Sequence, residues 1–194
     1  SVALARALGV SAPDEVKAIE AAALLHDTGK LAVPEHILNK PGKLTAAEFE
    51  QIKLHVDVGA DILSSIEFPY PVVPIVRAHH ENWDGSGYPR KLSGEAIPLA
   101  ARIFAVADVF DALCSKRPYK EPMTLAEALS VIEKDAGQHF DPVVVAAFIK
   151  IAPGLYAKPT AKPAGKPNRQ TNRQTDWRSR LCYRKACFFL RLGI

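Results

Sequence analysis

The sequence predicts an all-α fold. Three observations carry that expectation: apolar residues recur at helical spacing along most of residues 1–151, two capping-box patterns announce helix starts, and no alternating strand pattern of any length occurs. Residues 13–26 form the first clear helix, with an apolar face expected through Val16, Ile19, Ala23 and Leu24. Gly29, within the following HDTGK, marks its stop. Thr45-Ala-Ala-Glu48 is a capping box, in which a hydroxyl and a carboxylate satisfy the free amides of a helix start. The helix it opens is expected to reach about Ser64, with Phe49, Ile52, Val56, Ile62 and Leu63 supplying apolar contacts. A further helix from about Val72 delivers His79 and His80 near its end. The glycines of WDGSGYP then break the helix, and Pro98 suits the first turn of the next one. That helix, LAARIFAVADVFDAL, is apolar on nearly every side and is therefore expected to be central, with Asp108 an acid in an oily run. Thr124-Leu-Ala-Glu127 is the second capping box, and Asp141-Pro142 opens the last helix of the body.

The chain has 194 residues, 48% of them hydrophobic, enough for one domain with a buried core. Its net charge of +4 averages two unlike regions. Residues 1–151 carry 15 Lys/Arg against 20 Asp/Glu, whereas residues 152–194 carry 10 Lys/Arg and a single acid, Asp176. The basic balance thus belongs to a tail, and it gives no ground for nucleic-acid binding. KPTAKPAGKPNRQTNRQT in that tail is rich in Pro, Lys and polar residues and is expected to be disordered. The chain therefore divides into a body at 1–151 and a basic tail at 152–194. No uninterrupted apolar run approaches the ~20 residues of a membrane span. No secretory leader pattern is apparent, and the opening on Ser1 rather than Met reads as a piece of something longer. Cys114 stands alone in the body, and the spacing of Cys182 and Cys187 matches no common zinc motif, so a reducing, cytoplasmic setting is expected.

The chemistry lies in His26-Asp27, His55, His79-His80 and Asp108, which come from four separate helical segments. Imidazoles and carboxylates suit iron, manganese or zinc. A lone histidine on a helix is ordinarily a packed or surface residue, and Asp108 alone could cap a neighbouring helix. The adjacent pairs are harder to explain that way. Consecutive helical residues diverge, so both members of HD or HH serve a purpose only beside a cavity that needs several ligands. A carboxylate such as Asp27 can bridge two cations, and two cations can activate a water and stabilise both oxygens of a phosphoester displacement. Such a set suits that chemistry better than a closed structural zinc site, which favours four ligands and usually cysteine.

Four segments in order, HDTGK at 26–30, ILNKPGKLTAAEFEQIKLH at 37–55, HHENWDGSGYP at 79–89 and ADVFDALCSKRPYK at 107–120, resemble the HD-GYP family. This is a branch of the HD-type metal-dependent phosphohydrolases that degrade the bacterial second messenger cyclic di-GMP. The resemblance spans Ser1 to Ile151. It implies an HD-type helical bundle with a GYP loop, and metal ligation by His26, Asp27, His55, His79, His80 and Asp108. It also implies catalytic roles for Asp27 and Lys30, the lysine stabilising developing negative charge near the scissile phosphate. Arg117 and Lys120, in RPYK, would contact the dinucleotide. Asp84, Gly85, Gly87, Tyr88 and Pro89 form the GYP loop, whose glycines let the chain turn and whose Tyr-Pro pair would stiffen the rim.

The expected cofactors are two or three divalent metal ions, iron or manganese, and the expected products are pGpG, GMP or both. Expected partners are cyclic di-GMP, signalling proteins at the GYP loop, and a sensory or receiver domain preceding Ser1. Family members also carry a Glu and a His upstream of the segment that begins here, so the expectation is a site with two metals rather than three, or with one of them held weakly. The competing readings are a module that binds cyclic di-GMP or a protein without catalysis, and a phosphohydrolase for another cyclic dinucleotide or a mononucleotide. Outside the ligand positions, His36 in PEHIL is expected at the surface and His139 in GQHFDP to pack or cap near Asp141. Cys114 has no activating neighbour.

Overall fold

The helix starts are set by local chemistry. The structure, a computed structural model, describes residues 1–116 and 121–156. Arg117, Lys120 and residues 157–194, with Cys182 and Cys187, lie outside the described residues. The elements run α1 (Val2–Ala7), α2 (Pro13–Leu25), a 3-10 turn (Thr28–Ala32), α3 (Glu35–Leu38), α4 (Ala46–Ser64), α5 (Val72–Ala78), a second 3-10 turn (Gly94–Ala96), α6 (Leu99–Cys114), α7 (Leu125–Lys134) and α8 (Pro142–Tyr156). Among the described residues there is no strand, only an isolated bridge between Ala136 and Phe140. The all-α expectation therefore holds. No helix among the described residues is long and apolar enough to cross a membrane.

Both capping boxes form. In α4 the Glu48 amide donates to Thr45 Oγ1 at 3.3 Å, and the Thr45 amide donates to Glu48 Oε2 at 2.7 Å. Lys40 Nζ also donates to the same carboxylate, and these donors hold the Glu48 carboxyl down at about 2. Thr124 and Glu127 repeat the arrangement at the start of α7. α2 begins with Pro13 in its first turn and Asp14 and Glu15 beside it, acids that suit the positive end of a helix.

Two apolar assignments change. Leu24 is 79% exposed, because α2 turns Ala18, Ile19 and Ala22 to the core. Two residues advance about 200° around a helix, which carries residue 24 to the far side from Ala22. Ile62 is likewise 41% exposed, one position off the buried stripe of Val56, Ala60 and Leu63. Pro98 sits at the N-cap of α6 rather than within its first turn, and its carbonyl accepts from the Ala101 and Arg102 amides.

α6 is central, as its composition predicts: Ala101, Ile103, Phe104, Ala105 and Val106 are all buried, as are Ala112 and Leu113. It packs against α2, α5, α7 and α8, while α4 packs against α5 and the first 3-10 turn. Each fully buried aliphatic side chain, such as Ile103 or Val106, contributes about 1.5–3 kcal/mol relative to exposure. α8 is tied to α6 by its N-cap. Asp141 Oδ1 accepts from the Val143 amide at 2.8 Å, and Oδ2 accepts from Arg102 Nη1 at 2.6 Å. α8 itself runs past Ile151 to Tyr156 with Pro153 inside it.

One close approach governs how the first 3-10 turn meets α4. A Cβ at Gly29 would lie 1.9 Å from the His55 carbonyl oxygen and 2.5 Å from the Gly59 nitrogen. Both are backbone atoms, so no rotamer change relieves the overlap. The role of Gly29 is thus steric clearance across two elements, beyond the helix stop its position predicts. Gly29→Ala is expected to destabilise the fold by at least about 1–3 kcal/mol in urea unfolding. A change under about 0.5 kcal/mol would contradict the packing described.

His139 lies in the turn before α8. Its ring stacks on Phe140 at 4.3 Å between centroids, and its carbonyl accepts from the Trp83 amide. The expected packing role is met, while Asp141 itself does the capping. Burial pushes the imidazole down from 6.5 to about 4, with the charge of Asp84 pulling the other way. A pKa lower in the folded chain than in the unfolded one makes protonation favour unfolding. Stability should therefore be fully present above about pH 6.5 and decline as the pH falls toward 4. Urea unfolding across that window should show His139→Gln with a shallower decline than the parent chain.

Candidate metal centre

Four helical segments converge on one cluster. His26 is the C-cap of α2 and keeps helical backbone angles; Asp27 begins the 3-10 turn. His55 comes from the middle of α4, His79 and His80 from the end of α5, and Asp108 from α6. His26 Nε2 lies 3.3 Å from Asp27 Oδ2 and 3.8 Å from Asp108 Oδ1. His55 Nε2 lies 3.9 Å from Asp27 Oδ1, so the two oxygens of Asp27 face different histidines. His55, His79 and His80 each offer a nitrogen, and these atoms lie within 4.8 Å of one another, a group that could hold a metal ion. The His79 ring is 5.4 Å from that of His26 and 5.5 Å from that of His55. All six residues predicted as ligands are thus brought together.

The backbone sets the tautomers. His26 Nδ1 donates to the Ala23 carbonyl at 3.0 Å, His55 Nδ1 to the Ile52 carbonyl at 2.6 Å, and His79 Nδ1 to the Val76 carbonyl. A carbonyl oxygen can only accept, so in each neutral ring the proton resides on Nδ1 and the Nε2 lone pair points into the cluster. Each bond reaches back three residues along the same helix, so the imidazoles are oriented by the elements that carry them. His26 Nε2 is buried and has no hydrogen-bond partner. Inward-facing acceptors of this kind, oriented through their other nitrogen, are the donor set of a metal site. The residues present fit divalent cations.

Lys30 is 5% exposed and donates from Nζ to Asp27 Oδ2 at 2.7 Å. It therefore sits beside the cluster, fixing the carboxylate that faces both His26 and His55. Phe104 closes the floor, its ring 4.8 Å from that of His26 and 6.0 Å from that of His79. The sequence signal for Phe104 was available: it precedes Asp108 by one helical turn on α6.

The GYP loop folds back onto the cluster. The Tyr88 ring stacks on His80 at 4.7 Å, and the Tyr88 amide donates to the His80 carbonyl at 3.1 Å. Burial first, then Asp27 and Asp108, pushes the Tyr88 hydroxyl upward, so it stays protonated. Tyr88-Pro89 is a cis peptide. A Cβ at Gly87 would lie 2.3 Å from the Asn82 nitrogen, and Gly85 adopts φ +84°, a conformation that favours glycine. Asp84 is exposed: its side chain accepts from the Ser86 amide, and its own amide donates to the Gln138 carbonyl. Lys53 lies over the Phe49 and Tyr88 rings at 4.6 and 5.6 Å, a cationic edge that sequence reading did not single out.

His36 is exposed, as expected. Cys114 is half-buried, and burial with the nearby Asp111 pushes its thiol up, the opposite of what a nucleophile needs.

An HD domain family model matches residues 2–144. Among curated proteins, the chain is 50% identical over 149 residues to the cyclic di-GMP phosphodiesterase response regulator RpfG of Xanthomonas campestris, covering 76% of this chain and 39% of that protein. It is 49% identical over 138 residues to a cyclic di-GMP phosphodiesterase of Thermotoga maritima, covering 70% of this chain and 38% of that one. It is 44% identical over 141 residues to 3'3'-cGAMP-specific phosphodiesterase 2 of Vibrio cholerae, covering 72% and 27% respectively. The chain thus spans about two fifths of the length of the first two relatives. Among solved structures, an HDG"Y"P protein from Bdellovibrio bacteriovorus aligns with a TM-score of 0.62 at 25% identity, covering 78% of this chain and 48% of that one. A V. cholerae cyclic GMP-AMP specific phosphodiesterase aligns with a TM-score of 0.57 at 24% identity, covering 78% and 41%, which supports the fold. With HHENWDGSGYP folded over the cluster and this agreement of family, relatives and fold, the chain belongs to the HD domain family, in its HD-GYP branch.

Proposed function

We propose that this chain carries the catalytic core of a metal-dependent phosphodiesterase that hydrolyses cyclic di-GMP to pGpG, GMP or both. The observation that carries this reading is the convergence of His26, Asp27, His55, His79, His80 and Asp108, from four helical segments, on one partly buried cluster. In this reading those six residues would hold two or three divalent ions; the nitrogen and oxygen donor set suits iron, manganese or zinc, and the family resemblance points to iron or manganese. When bound, such ions supply an activated water and neutralise charge at the phosphodiester.

The chain's own residues do the rest. Asp27, with its two oxygens facing different histidines, is suited to bridge the two halves of the cluster. Lys30 holds Asp27 by an ion pair, from where it would stabilise negative charge developing on phosphate. Phe104 and the stacked Tyr88 exclude water around the imidazoles, which strengthens each charge interaction there. Arg117 and Lys120 would grip the dinucleotide, the arginine with its planar fork of donors. The GYP loop offers a surface for signalling partners, and such a substrate locates the reaction in the bacterial cytoplasm.

A second reading, hydrolysis of a mixed cyclic dinucleotide, is favoured by the likeness to relatives named for 3'3'-cGAMP. A substrate panel separates the two, with faster turnover of cyclic di-GMP expected.

His26→Ala and Asp27→Ala are each expected to lower cyclic di-GMP turnover more than about 100-fold, since both remove a direct ligand where outer partners alone are worth 10–100-fold. Chromatography of pGpG and GMP provides the measurement. Turnover that persists undiminished in excess chelator would sink the mechanism.

A further inference from the structure

Glu81, directly after the two histidines, is 3% exposed and makes bonds that the catalytic reading does not use. Its Oε1 accepts from the Arg90 amide at 2.7 Å and its Oε2 from the Leu92 amide at 3.0 Å. One side chain thereby joins the end of α5 to the far end of the GYP loop. Inside the ring so closed, Gly87 is pressed against the backbone of His80, Glu81 and Asn82. Tyr88, just before the clamped residues, lays its ring on His80. His80 in turn is one of the three histidines whose nitrogens lie within 4.8 Å of each other.

We infer that Glu81 is a positioning residue that holds the GYP loop closed, so that Tyr88 fixes the His80 ring in its ligating orientation. The inference rests on the metal-site reading above and extends it to a residue outside the ligand set. The geometry requires two acceptor oxygens on one side chain. Two backbone N–H groups, at Arg90 and Leu92, each take one oxygen of the Glu81 carboxyl group. An amide in the same place offers one oxygen, and its NH2 meets the second backbone donor head-on. Aspartate is one methylene too short to span the same gap.

The test uses the full chain and manganese as the probe, with metal content measured after dialysis at a series of free manganese concentrations. Glu81→Gln should stay folded by circular dichroism yet lose about 10–100-fold in affinity for the ion that His80 contacts, the size expected for a partner that orients a ligand. The remaining manganese should bind as in the parent. Tyr88→Ala leaves the clamp in place and should reproduce the same loss, whereas Tyr88→Phe, which keeps the stacked ring, should not. Because Glu81 acts through Tyr88, the double variant should lose no more than either single one.

Manganese binding by Glu81→Gln equal to that of the parent would overturn the assignment. Additive losses in the double variant would overturn it too, as would a loss in Glu81→Gln that Tyr88→Ala does not share. These readouts do not involve substrate. A parent chain that binds manganese normally but hydrolyses no cyclic dinucleotide therefore refutes the functional reading alone, and leaves the Glu81 result to be judged by metal content.

Discussion

The site depends first on an absence of atoms. His26 caps the end of one helix, Asp27 opens the turn after it, and His55 lies in the middle of another helix. They can face each other only because the turn at Gly29 touches the backbone of α4 at His55 and Gly59. Gly59 follows His55 by four residues and so lies on the same side of α4, one turn further on. Its own Cβ would lie 3.0 Å from the Gly29 nitrogen, so the contact is close from both sides. α4 is anchored in turn by Val56, Ala60 and Leu63, which are buried on the core side of the same helix. A side chain at residue 29 would lift the HD turn away and widen the 3.9 Å gap between Asp27 and His55.

Given that contact, electrostatics organises what remains. Three histidines spend Nδ1 on a carbonyl of their own helix, which leaves the other nitrogen aimed inward. Two carboxylates, Asp27 and Asp108, stand beside them with the Lys30 ammonium paired to one. The local balance of these three charges is negative, and the Phe104 ring packs 4.8 Å from that of His26 beside them. A low-dielectric, net-negative cluster of acceptors attracts cations more strongly than the same groups would in water. The same helices that bury the core thus set both the direction and the charge of the site.

How much of this was legible in the sequence follows from how far each signal reaches. The starts of α4 and α7 were readable because Thr45 with Glu48, and Thr124 with Glu127, complete their bonds within four residues. The HD and HH pairs were readable because adjacency itself is informative. Leu24 and Ile62 were misassigned because apolar character shows that a helix has a buried face without saying which of its neighbours lie on it. Gly29 read as a helix stop, since its real constraint comes from His55 and Gly59, far along the chain. Glu81 was passed over for the same reason: its donors at Arg90 and Leu92 are backbone amides, which leave no mark in side-chain identity. Arg117 and Lys120 rest on resemblance, because they lie outside the described residues.

The GYP loop is held from two directions, and both lead back to helices that carry ligand candidates. Glu81 ties its far end to the helix of His79 and His80. On its near side, the Trp83 and Asp84 amides donate to the carbonyls of His139 and Gln138 in the turn before α8. That turn is fixed by Asp141, which binds Arg102 of α6, and the same guanidinium lies 5.6 Å over the Trp83 ring. Arg102 and Asp108 share a helix, so the element that contributes a carboxylate to the cluster also braces the loop above it. A shift of α6 would therefore move Asp108, Phe104 and the brace of the loop together. Hydrogen bonds from backbone amides tie the loop at both ends, and on the near side the Arg102–Asp141 ion pair adds to them. The loop therefore packs with the cluster, whereas a surface loop lacking these ties would fluctuate on its own.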